Sequence, residues 1–529
     1  MPVTRPHHFL VRPLVRAAVS ALAIAGLGAA ALVAPAEAKP PGHRDDTVVR
    51  VADGAVRGTA TEGYRTFQGI PYAAPPVGDL RFRAPRPAAR WRGVLDATAP
   101  RPQCAQLSNG TGNPQTYGED CLYLNVTTPA GRSARPSGLP VMVWIHGGSF
   151  LTGSGAAYDA SKLATQGDVV VVTINYRLGP FGFLAHPALG SSNAALLDQQ
   201  AALRWVQRNA RAFGGNPRNV TVFGESAGSA SVCANVASPR ARGLFRRAIA
   251  QSYSCTSDFA TLASVQATGE AFAEAVGCGA SADVPACLRQ RDPETLLRAW
   301  TGGAFAVGGA ALPRQPGDAL ATGTANRVDL MHGNTLDENR LFIPLQYGTT
   351  LTAAQYPAAI RARFGTAADA VLARYPVESY GSPIIALSTV FSDYGTALST
   401  CSHVDAYEVA SDRRGARVFA YQFQDRTADP LVPILGTQNG ASHATELPFL
   451  FPGLFGDGLS AEQEALSDAM VAYWTSFAAR GRPSGRGLPR WPQYERPGDV
   501  MALDLPAAGG IGVEDVAAAA RCGFWSQLG

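Results

Sequence analysis

The chain runs to 529 residues, is 46% hydrophobic and carries a formal net charge of +4. A charge this small argues against nucleic acid or other polyanions as partners, and no arginine cluster interleaved with aromatics stands out along the chain. Eight cysteines without a C-x-x-C pair read as disulfides before metal ligands in an exported chain.

Export is indicated at the start. Arg5, Arg12 and Arg16 precede an apolar stretch from Ala17 to Val33, and Ala36-Glu37-Ala38 follows as an A-x-A cleavage site, so residues 1–38 read as a secretory signal peptide. A membrane anchor is the weaker reading, because small residues and Pro35 break the stretch and no stop-transfer pattern follows. Cleavage near Ala38 removes three arginines and one glutamate, which takes the charge from +4 to +2. No later stretch is long and apolar enough for stable membrane insertion.

Val48 to Thr59 alternates as a strand pair, with Asp53-Gly54 as its expected turn. The prolines from Phe67 to Val77 forbid a helix and leave an extended, turn-rich segment. Cys121–Val126 and Val141–Ile145 read as strands, the second fully buried and ending in His146-Gly147-Gly148-Ser149. Glycines directly after a buried strand let backbone N–H groups approach a ligand closely. Val169–Asn175 is a further strand, and Leu196–Phe213 has the apolar spacing of an amphipathic helix.

Val220–Phe223 is a β-rich run followed by Gly224-Glu225-Ser226-Ala227-Gly228 and a small-residue helix through Val236. This is G-x-S-x-G between strand and helix, the context in which a tight turn lifts a serine hydroxyl off the end of a sheet. The helix start favours developing negative charge, and the Ala227 N–H can point at an oxyanion. Beyond it, Phe245–Gln251 reads as a strand, residues 261–298 as mostly helical, 302–323 as loop and Val328–Met331 as a short strand. Residues 341–410 are mostly helical again, Val418–Phe423 is a β run and Glu462–Ala479 a helix. Alternating strands and helices predict an α/β fold with a mainly parallel, doubly wound sheet.

A serine hydroxyl needs a base. Where G-x-S-x-G serves a triad, the acid and then the histidine follow it in the chain, and beyond Asp337 and Glu338 that leaves His403 and His443. His403 falls in a helical context, whereas His443 falls in the loop Asn439–Glu446 and is favoured. His146 is expected to support its glycine loop. Asp337 and Glu338 follow a strand end and chemistry alone does not separate them as the acid.

Together Phe67–Val77, Glu119–Asn125, Gly147-Gly148, Leu197-Asp198-Gln199, Phe213–Pro217, Gly224–Gly228, Asp337-Glu338 and Gly440–His443 resemble type-B carboxylesterases. These α/β-hydrolases include cholinesterases, bacterial p-nitrobenzyl esterases and fungal lipases. The resemblance covers residue 48 to the Cys522–Trp525 tail and implies one α/β-hydrolase catalytic domain over 39–529, with helical insertions. It makes Ser226 the nucleophile, Glu338 the acid and His443 the base, with Gly148, Ser149 and Ala227 supplying the oxyanion hole. The chemistry implied is acyl transfer through an acyl-enzyme, with no metal or cofactor, on small-molecule or polymer-derived esters. Three departures stand out: Ser149 replaces a Gly or Ala, Asn339 replaces a Gly and would suit a left-handed position, and residues 104–121 lack the choline-binding tryptophan of cholinesterases.

The resemblance also implies disulfides Cys104–Cys121, Cys278–Cys287 and Cys401–Cys522. Cys233 and Cys255 remain, as a fourth pair or as two buried thiols. A lipase or sterol esterase is the alternative reading, but the polar loop between Cys104 and Cys121 favours short-acyl, soluble esters. A neuroligin-like binding module is the alternative of another class, and the complete Ser/Glu/His set speaks against it. Oligomeric state is not legible. Asn109, Asn125 and Asn219 form N-x-T sequons, which matter only in a host that glycosylates.

Overall fold

Four runs, Leu139–Ile145, Val170–Ile174, Arg247–Gln251 and Val418–Phe423, bury every residue they contain. Continuous burial of this kind belongs to strands covered on both faces, as in a parallel sheet flanked by helices. A computed structural model of the chain describes residues 46–108, 114–131, 136–190, 192–412 and 415–528 and places these runs in one sheet of eleven strands. The signal-like segment 1–38 and the sequon residue Asn109 lie outside the described residues.

In chain order the strands are β1 (Thr59–Ala60), β2 (Tyr64–Pro71), β3 (Tyr123–Pro129), β4 (Leu139–Ile145), β5 (Val170–Ile174), β6 (Gly215–Glu225), β7 (Arg247–Gln251), β8 (Asp329–Thr335), β9 (Val418–Phe423), β10 (Val500–Leu503) and β11 (Ile511–Glu514). Their spatial order is β1-β2-β3-β5-β4-β6-β7-β8-β9-β10-β11. From β5 to β10 every neighbouring pair is parallel, and the pairs at both ends are antiparallel. Alternation along β4 sends Val141, Val143 and Ile145 into one core and Met142 and Trp144 into the other. The helices that matter for the site are α1 (Ala194–Asn209), α2 (Ala227–Ala237), α3 (Asn339–Tyr347), α4 (Thr400–Ser411) and α5 (Ala461–Arg480).

Several local expectations need correction. The first hairpin pairs Val51 with Gly54, so its turn is Ala52-Asp53, and Gly54 is needed instead because a Cβ there would meet the Trp91 indole at 2.2 Å. Residues 302–323 contain a short strand, Ala306–Val307, and a helix, Pro316–Ala321. The strand expected over 328–331 continues to Thr335, which brings His332 into the sheet. Strands β10 and β11 carry too short a pattern to be read in advance.

All eight cysteines are paired, as Cys104–Cys121, Cys233–Cys255, Cys278–Cys287 and Cys401–Cys522. Cys233–Cys255 fastens α2 to the segment after β7. Four disulfides suit an oxidising, extracytoplasmic compartment. Among the described residues no helix is long and apolar enough to cross a membrane. Asn125 and Asn219 are structural: Asn125 accepts from the Gly69 N–H and donates to Thr173, and Asn219 accepts from Arg247.

Candidate active site

The parallel register brings Glu225 of β6 level with Gln251 of β7, and Gln251 level with Gly333 of β8, so one edge of the sheet collects the carboxyl ends of three strands. Ser226 follows directly, with φ 55° and ψ −122°. A non-glycine residue in this region costs of order 1–3 kcal/mol, and the surroundings must hold it there. They do so through the Ser226 N–H, which donates to the Gln251 carbonyl at 2.8 Å, and through α2, which begins at Ala227. A Cβ on Gly228 would stand 2.0 Å from the Ile145 carbonyl oxygen, so only glycine lets α2 pack this tightly on β4.

The loop after β4 bends back over the serine. Gly148 has φ +102°, and Ser149 and Phe150 also take positive φ at 55° and 62°. A Cβ on Gly147 would lie 3.2 Å from the Ser226 Cβ, which measures how closely this backbone approaches. Among the described residues, no backbone carbonyl accepts from the N–H of Gly148, Ser149 or Ala227. Beneath the loop His146 is buried, contacts the Gly147 carbonyl through Nδ1 at 2.8 Å and stacks on Tyr176. Burial brings its imidazole down to about 4 despite that hydrogen bond, which suits a neutral support for the loop.

His443 and Glu338 meet at this edge. His443 Nδ1 lies 2.6 Å from Glu338 Oε2, and the second oxygen of Glu338 accepts from the Thr335 N–H at 2.9 Å. Asp337 points elsewhere, to Arg426 at 2.7 Å and Arg340 at 3.1 Å. The geometry therefore separates two carboxylates that residue type left equal. Asn339 is helical, not left-handed; its side chain ties α3 to the Phe391 carbonyl. His403 lies within α4, edge-on to His332, with Nδ1 2.8 Å from the Ser399 carbonyl, and is not brought to the serine.

Ser226 and His443 line one cavity of about 460 Å³, together with Gly147, Gly148 and Ser149. No hydrogen bond joins Ser226 Oγ to His443 Nε2 among the described residues; Nε2 lies 3.0 Å from Glu225 Oε1. Nucleophile–base contacts commonly tighten only when substrate binds. Phe342 covers the imidazole with ring centres 5.0 Å apart, and Leu341, Leu345, Leu431, Leu454 and Phe455 make the cavity wall apolar.

Sequence reasoning missed two buried carboxyls, Glu225 and Glu446. Glu225 stands inside the pentapeptide and Glu446 lies three residues after His443, but nothing in either position announces burial. Glu446 accepts from Gln251, whose own oxygen accepts from the Trp474 indole. Three carboxyls around one imidazole do not all ionise in a site this dry. Burial pushes Glu225 and Glu446 up, and neighbouring carboxylates add to the rise. Burial also works to raise Glu338, but the charge and hydrogen bond of His443 and the Thr335 N–H hold it below the usual carboxylate range. Burial works to lower His443, and the carboxylates facing it outweigh that and raise it. The negative charge thus concentrates on the group that touches Nδ1, while Nε2 is turned toward Glu225, which lines the same cavity.

A doubly wound sheet with a strained serine at its carboxyl edge and a carboxylate-held imidazole beside it defines a serine hydrolase of the α/β-hydrolase fold. The carboxylesterase family model matches residues 45–525, and the chain belongs to that family and is a carboxylic ester hydrolase. The para-nitrobenzyl esterase of Bacillus subtilis is 38% identical over 86% of this chain and 94% of its own length. The fumonisin B1 esterase of Sphingopyxis macrogoltabida is 35% identical over 92% and 91%. A solved thermophilic PNB esterase superposes with a TM-score of 0.75 at 34% identity, covering 90% of this chain and 99% of that structure.

Proposed function

We propose that the chain is a secreted carboxylesterase of a single catalytic domain from residue 39 onward, which hydrolyses short-acyl esters through an acyl-enzyme on Ser226. The observation that carries this reading is the 2.6 Å contact between His443 Nδ1 and Glu338 Oε2 at the edge where Ser226 is exposed to the cavity. Ser226 Oγ attacks the ester carbonyl carbon as His443 Nε2 takes its proton. The oxyanion is held by the N–H groups of Gly148, Ser149 and Ala227. The carbonyl re-forms, the alcohol departs with the proton from His443, and water repeats the sequence to release the acid. The substrate is a small-molecule or polymer-derived ester.

A cavity of about 460 Å³ with apolar walls supports acyl and alcohol groups of modest size. Longer acyl chains are the second reading, supported by Leu345, which is 63% exposed where it meets the cavity. Hydrolysis of p-nitrophenyl esters from C2 to C16, with Ser226→Ala in parallel, tests both. Serine-dependent turnover peaking at short chains is expected; a peak at long chains favours a lipase, and activity surviving in Ser226→Ala rejects the assignment of the nucleophile.

A further inference from the structure

A second cavity, of about 880 Å³, opens at the opposite edge of the sheet, around the amino ends of β6, β7 and β8. The five residues of β7 alone separate the two edges by about 16 Å, at ~3.3 Å per residue. Four arginines from separate segments line it: Arg218 in β6, Arg242 after α2, Arg246 just before β7 and Arg327 just before β8. All four are exposed, and among the described residues none of their guanidinium groups has an ion pair or hydrogen bond.

Among the described residues the lining contains one carboxylate, Asp329, and it is engaged elsewhere. Arg417 donates to it at 2.7 Å, and Arg247 lies 3.8 Å away. The local field is correspondingly positive. Burial brings the Arg247 guanidinium down to about 10; Asp329 opposes the shift, and Arg246 and Arg417 add to it. A net charge near zero over the whole chain says nothing about a patch of this kind, because a ligand meets the local potential.

We propose that this cavity binds a small oligophosphate, a ligand carrying several linked phosphoryl groups. Its volume is that of a small-molecule site. Guanidinium forks take two oxygens of a phosphate at once, which an ammonium does not. Four uncompensated cations require a ligand with several negative charges, and a phosphoryl group supplies more charge and more acceptor oxygens per atom than a carboxylate.

The test is calorimetric titration of the full chain with sodium tripolyphosphate at low ionic strength, beside orthophosphate and citrate. One saturable site is expected for tripolyphosphate, at least tenfold tighter than either other anion and weakening as sodium chloride is added. Arg246→Ala with Arg327→Ala should weaken it at least tenfold, with the thermal midpoint of the free protein unchanged. Absence of saturable binding at millimolar tripolyphosphate, equal binding by the double variant with its fold intact, or citrate binding as tightly would each overturn the proposal. Should the double variant melt early, Arg246→Lys with Arg327→Lys keeps the charge and removes the forks; undiminished affinity in that variant overturns the bidentate recognition.

Discussion

Asp337 and Ala441 are joined twice: the Asp337 N–H donates to the Ala441 carbonyl at 2.9 Å, and the Asp337 carboxylate accepts the Ala441 N–H at 3.2 Å. Ala441 lies two residues before His443, and Asp337 immediately precedes Glu338. One residue therefore locks the loop of the proposed base to the loop of the proposed acid. Arg340 and Arg426 hold its carboxylate in place from two sides.

This makes Asp337 a positioning residue. Asp337→Ala should lower kcat by about ten- to a hundredfold, the scale of loss expected when reacting groups move by about 1 Å. KM should change little, because Asp337 does not face the cavity. Steady-state kinetics on a p-nitrophenyl ester separates the two effects, and Asp337→Asn, which keeps an acceptor for the Ala441 N–H, should retain more kcat than Asp337→Ala.

The pH profile follows from the carboxylates around His443. The proposed base works only when neutral, so activity falls as pH drops through its pKa. That value is raised above the ordinary 6.5 by the carboxylates facing the ring. The acid limb of kcat/KM should therefore lie on the alkaline side of 6.5. Glu338→Gln should move it to lower pH while reducing the rate. A limb at or below 6.5 in the unaltered enzyme would contradict the electrostatics described.

Arg177 and Asp198 form a bidentate pair, both contacts at 2.7 Å, between the end of β5 and α1, and both are buried. Removing one partner strands the other charge without water. Asp198→Ala should cost about 3–5 kcal/mol of stability, measured by urea unfolding. Replacing both residues with apolar side chains should cost much less.

Cys401–Cys522 closes 121 residues and holds the last helical turns against the body, where Trp525 stacks on Tyr394 and donates to Tyr375. Cys401→Ala with Cys522→Ala should destabilise the protein by about 2–5 kcal/mol. Differential scanning calorimetry reads the loss, and the variant should keep its ester hydrolysis at 25 °C because neither cysteine lines the cavity.

Local chemistry made much of this protein legible in its sequence. The strand–turn–helix setting of Ser226, the buried runs of β4, β5 and β9 and the glycines after Ile145 depend on neighbours in the chain, so their signatures are contiguous. The order of serine, carboxylates and His443 narrowed the proposed site further. Spatial approach decided the rest. Asp337 and Glu338 have equal chemistry and separate only because the backbone aims one at Arg340 and Arg426 and the other at His443. Glu225 and Glu446 become unusual acids only when folding removes water from both. The four arginines of the second cavity, scattered from 218 to 327, form one field only because parallel strands deliver their amino ends to the same edge. Charge, burial and proton affinity depend on distance in space, and a sequence records distance along the chain.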